Sequence, residues 1–76
     1  MLNVYRTLRN YVGGVVCLDL DLDNEVVTCV INGKYLEVQN YNELLYMVTV
    51  TDDETGDELF VKYVDLNGVY KLAIFC

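Results

Sequence analysis

Asn32-Gly33 stands between two runs of β-favouring residues, 26–31 and 34–38. Both central residues of a type I′ turn need positive φ, and Asn followed by Gly meets that need at the lowest steric cost. A two-residue loop also fixes the register. Ile31 falls opposite Lys34, Cys29 opposite Leu36 and Val27 opposite Val38, which makes one largely apolar face. Thr28 with Glu37 and Val30 with Tyr35 fall on the other. A slip of one residue would turn the apolar set out to solvent, so turn and pattern specify the same hairpin. The centre of this chain is therefore an antiparallel ribbon with one buried side.

The flanking segments extend that ribbon. In 16–23, Val16, Leu18, Leu20 and Leu22 alternate with Cys17, Asp19, Asp21 and Asp23, the period of a half-buried strand. Residues 3–12 instead place Val4, Tyr5, Leu8, Tyr11 and Val12 on one helical face, with Asn3 as N-cap and Gly13 just beyond the end. Residues 44–51 and 59–64 read as strands, joined by the polar loop 52–57, in which Gly56 is free to take a left-handed conformation. Residues 65–68, Asp-Leu-Asn-Gly, read as a turn, and 69–75 as a last strand. Both of the last two segments are apolar on two faces. The expected fold is α+β, mainly β: one domain over 1–76, with a helix at 3–12 packed on a curved antiparallel meander of five to six strands across 15–76.

Composition narrows the chemistry. The 76 residues include no His, Ser, Pro or Trp. Without them neither a Ser-His-Asp nor a Cys-His arrangement can be assembled, and no side chain has an ordinary pKa near neutrality. A carboxylate pair alone can hydrolyse glycosides, but so short a chain rarely encloses the cleft such a reaction needs. The reading is non-enzymatic, and no cofactor is implied. Cys17, Cys29 and Cys76 are odd in number and lack zinc-type spacing, and the register separates Cys17 from Cys29. Together with the lack of an apolar leader or a membrane-length run, this points to a reducing, cytoplasmic setting.

The formal charge is −7, from 12 acids and 5 bases. Arg6 and Arg9 lie in the first 14 residues, which carry no acid. The rest of the chain sets Lys34, Lys62 and Lys71 against every acid. Such a body repels nucleic acid and anionic membranes and favours a basic protein as partner. Asp19, Asp21 and Asp23 have the spacing of a calcium loop, but Asn24 stands where that loop needs Gly, and Val30 where it needs a bidentate Glu, so no metal site is assigned. Two readings remain for the three aspartates. One is the solvated face of a charge-protected edge strand. The other is a comb with repeats of about 6.6 Å, comparable to phosphates along a nucleic-acid strand. Asp52, Asp53, Glu54 and Asp57 form a second acidic group, either a solvated turn or a second contact for a basic partner. Of seven tyrosines, Tyr35 and Tyr41 are the exposed candidates for contact residues at a rim, although tyrosine also suits half-buried strand positions.

In size and acidic profile the chain resembles small phage-encoded inhibitors of host nucleic-acid defence, of the anti-restriction and anti-CRISPR type. The resemblance implies a binder that occupies a basic, nucleic-acid-holding surface, such as that of a nuclease, in the host cytoplasm. The alternative is a homo-oligomeric adaptor, for example a homodimer. Phe60, Val64, Val69, Ala73 and Phe75 of the two-faced segments at 58–75 would then form the contact.

Overall fold

A computed structural model describes residues 1–75; Cys76 lies outside the described residues. The elements run in the order α1 (Leu2–Tyr11), β1 (Val15–Asp21), β2 (Val26–Ile31), β3 (Lys34–Asn40), β4 (Tyr46–Asp52), β5 (Glu58–Val64) and α2 (Leu66–Ile74). The five strands form one antiparallel meander in sequence order, so β1 and β5 are its edges. The central hairpin has the register that its turn dictates, with Val27 opposite Val38, Cys29 opposite Leu36 and Ile31 opposite Lys34. Asn32 and Gly33 have φ of 51° and 73°, as a two-residue turn between twisted strands requires.

One face of the sheet carries the core. Val27, Cys29, Ile31, Leu36, Val38, Val48 and Val50 are buried there, beneath Val4 and Leu8 of α1 and Val69 and Ala73 of α2. Helix α1 begins one residue earlier than its sequence suggests. Its N-cap is Met1, and Asn3 sits inside the first turn. There the Asn3 Nδ2 donates to the Tyr46 hydroxyl at 2.9 Å and ties the helix to β4. Val4, Leu8 and Val12 form the buried stripe, while Tyr11 is exposed.

The last segment differs from its expected form. Residues 65–68 are not a free turn, and 69–75 is not a strand. Asp65 caps a helix, its carboxylate accepting from the Gly68 N–H at 2.8 Å. Leu66, Val69, Tyr70 and Ala73 then follow at helical spacing, and the sheet ends at Val64. Each of those apolar residues could equally be read at period two, and a run this short cannot separate the two periods. Length of sheet decides it: one ten-residue helix cannot cover five strands, and α2 packs over β4 and β5.

That helix also removes two residues from the expected oligomer contact. Val69 is 0% exposed and Ala73 is 1%, both spent in the chain's own core. Phe60 and Val64 pack partly against the same core. Phe75, just past α2, stands 83% exposed.

A second departure lies in β1. Val15 and Val16 pair with Ile31 and Val30, but Asp19 pairs with Thr28, so one extra residue is inserted between them. Cys17 takes the left-handed conformation, φ 54°, at this bulge. The bulge breaks the uniform alternation of 16–23. Leu18 and Leu20 pack on the core, but Val16 turns to the opposite face and Leu22 falls in the following turn, exposed.

Candidate functional site

Both helices lie on the same side of the sheet, which leaves the other side open. The strand registers place its side chains in three rows. Val16, Val30, Tyr35, Thr51 and Glu58 make the first, running from β1 to β5. Asp19, Thr28, Glu37, Thr49 and Val61 make the second. Asp21, Val26, Gln39, Met47 and Tyr63 make the third. Tyr41 continues the third row from the β3–β4 connection, its ring meeting that of Tyr63 edge-on at 4.7 Å.

This face carries Asp19, Asp21, Glu37 and Glu58 and no basic residue. The bases lie on the other side. Arg6 and Arg9 belong to α1 and Lys71 to α2. Lys34, opposite Ile31, and Lys62, opposite Val48, share the helix-covered face. The molecule is therefore electrically two-sided, with an anionic sheet face and every cation in or beside the helical layer.

Of the residues singled out in the sequence, Asp19, Asp21, Tyr35 and Tyr41 come together on the open face. Asp23 lies in the β1–β2 turn, at the end of the sheet where Tyr41 also sits. The acidic loop is elsewhere. Residues 53–57 join β4 to β5 at the opposite end, beside the Asn32-Gly33 turn, where the Asp53 N–H donates to the Gly33 carbonyl at 3.0 Å. Four strand spacings, about 19 Å, also separate β1 from β5. The two acidic groups occupy diagonal corners and do not form one continuous track.

Within that loop the acids also shape the backbone. Asp52 Oδ1 accepts from the Glu54 and Thr55 N–H groups at 2.9 and 3.2 Å, and Gly56 takes φ 77° to close the turn. Asp21 does similar work at the other end. Its carboxylate accepts from the Asn24 side chain at 2.8 Å and the Asn24 N–H at 3.1 Å. These two bonds, that from the side chain first, hold the Asp21 carboxyl below its ordinary pKa. Among the described residues no three acids or thiols converge as a metal site would need.

No family model, curated protein or solved structure matches the chain. The site is accordingly defined by its own geometry.

Glu37, Met47, Val61 and Tyr63 contribute to the open face and were not singled out from the sequence. For Glu37 the signal was present, since the Asn-Gly turn already sets it beside Thr28 on the uncovered side. Met47 and Tyr63 depended on the β3–β4 and β4–β5 registers, which no short turn announces. The edges of the sheet are guarded. β1 carries its bulge and its two outward aspartates, and β5 points Lys62 inward, its ammonium 5.4 Å from the Phe60 ring centroid. Inward charge and bulges are the devices that block strand-to-strand pairing.

Proposed function

We propose that this chain is a non-enzymatic binding protein whose open, anionic sheet face occupies a basic surface on another protein, of the kind that otherwise holds nucleic acid. The observation that carries this reading is the separation of charge: four carboxylates and no base on the uncovered face, with all five basic residues toward the helices. A two-layer arrangement of helices on an antiparallel sheet leaves the outer sheet face to solvent or to a partner, and in this reading a partner covers it. Charge of one sign steers a partner of the other and excludes partners of its own sign. In this proposal the chain is a nucleic-acid-mimicking inhibitor of the phage anti-restriction or anti-CRISPR kind, active in the host cytoplasm. No described helix is long and apolar enough to cross a membrane.

Displacement from immobilised duplex DNA tests the proposal. Source-cell proteins held on DNA beads at low salt are challenged with the wild-type chain and with Asp19→Asn, Asp21→Asn, Glu37→Gln combined, folding being verified by circular dichroism. The wild type is expected to release a discrete subset of proteins, and the triple variant to need at least a tenfold higher concentration. Release of nothing by the wild type, or equal release by both, would overturn the proposal.

A further inference from the structure

The open face has a pattern finer than its charge. Most of its apolar side chains gather at two diagonally opposite corners; Val26, between Asp21 and Gln39, is the exception. Val16, Val30 and Tyr35 lie at the corner formed by β1 to β3, next to the Asn32-Gly33 turn. Met47, Val61 and Tyr63 lie at the corner formed by β4 and β5, next to the β3–β4 connection. The other two corners are acidic: Asp19 and Asp21 on β1, and Glu58 on β5 beside the 53–57 loop. Glu37, on the central strand and in the middle row, stands where the two diagonals cross.

We infer that the cover for this face is a single cationic amphipathic α-helix of the partner, lying along the apolar diagonal. The inference rests on the binding reading above and specifies its partner. The diagonal spans four strand spacings of about 4.8 Å and four residues of about 3.3 Å each, about 23 Å in all. At 1.5 Å per residue that is a helix of about 15 residues, or four turns. The matching helix has apolar residues at both ends of its buried stripe and one Lys or Arg midway, over Glu37. Further basic residues on its two flanks meet Asp19 and Asp21 on one side and Glu58 on the other. Long basic side chains lay their methylenes on the apolar corners while their heads reach the carboxylates. A second copy of this chain fits poorly, because two such faces would set acid against acid. An added strand fits poorly as well, because both edges are guarded.

The probe is a designed 16-residue helical peptide with leucines at the two ends of the stripe, arginine at its centre and lysines on both flanks. Its controls are the same composition scrambled, and the ordered peptide with the central arginine replaced by glutamate. Fluorescence anisotropy is expected to show the ordered peptide binding at least tenfold more tightly than either control, with affinity falling as salt rises. Glu37→Lys should weaken it at least tenfold, and the milder Val30→Thr, which keeps a β-branched side chain, several-fold. Lys71→Gln, on the helical layer, should leave it unchanged. Equal binding of ordered and scrambled peptides, or indifference to both face variants, would overturn the inference. So would a concentration-dependent dimer in sedimentation that Val30→Thr or Glu37→Lys alters, since the face would then cover itself. The two proposals fail separately. Ordered-peptide binding without DNA displacement removes the mimicry and keeps the helix; displacement with no preference for the ordered peptide does the reverse.

Discussion

At Gly68 two residue-scale effects oppose each other, and their sizes decide the outcome. Replacing a helical glycine with alanine normally stabilises by about 1 kcal/mol. Here an added Cβ would lie 2.5 Å from the Cβ of Val64, at the point where α2 turns back over β5. Overpacking of that kind costs about 1–3 kcal/mol, so Gly68→Ala is expected to destabilise by about 1 kcal/mol net in urea unfolding. Val64→Ala should not relieve it, because alanine keeps the offending Cβ. A stabilised Gly68→Ala would mean that α2 stands farther from the sheet. Asp21 shows a second local effect. Its folded pKa lies below the ordinary value because Asn24 bonds the charged form. The bonds therefore favour the native state above about pH 4, the unfolded range of an aspartate, and that contribution is lost as pH falls through the lower folded value. Asn24→Ala is expected to flatten the pH dependence of the urea midpoint below pH 4. An unchanged slope would show that the turn does not couple to folding.

Elements were legible from the sequence to the degree that local signals excluded alternatives. The Asn32-Gly33 hairpin was readable to the residue, because turn chemistry and hydrophobic pattern independently require one register. α1 was readable because its apolar spacing has no strand interpretation. α2 was not: 65–68 reads as a turn and 69–75 as a strand, because a run this short fits both periods. The β1 bulge was hidden altogether: nothing in Val-Val-Cys-Leu announces that Cys17 takes a positive φ, and that one residue moves Val16 from the core to the open face. The edge devices of the sheet allow a direct test. Lys62 is the inward charge on β5, opposite Val48. Lys62→Val should leave the monomer folded but make β5 an apolar edge beyond its irregular start at Glu58 to Phe60, and sedimentation velocity should detect dimers or larger species. A monodisperse variant would show that β5 is kept from pairing by something other than this lysine.

For the whole molecule, the candidate site was legible as charge and illegible as shape. The acids and their two clusters could be counted in advance; their separation to diagonal corners followed from a meander whose turns alternate between the two ends of the sheet. The same placement governs stability as a function of salt. Acids line the open face and both sets of loops, the bases are confined to the helical layer, and the sum is −7. The longest dimension is 32 Å. At 0.01 M salt the screening length is about 30 Å, so each acid feels nearly every other across the fold; at 1 M it is about 3 Å and only immediate neighbours count. The unfolded chain is longer and separates its like charges, so low salt penalises the compact state more than the expanded one. Raising sodium chloride from 0.01 to 0.5 M is therefore expected to increase the Tm by about 5 °C, the shift that about 1 kcal/mol produces in a domain of this size. Asp53→Asn with Glu54→Gln should reproduce part of that rise at low salt and reduce the remaining salt response, since both side chains are exposed in the acidic loop and make no core contact. A Tm that falls with salt would mean that attraction between the two sides of the molecule outweighs repulsion within the anionic one. The electrical two-sidedness would then hold the fold together, and charge reversal at Arg6 or Arg9 would be the destabilising change.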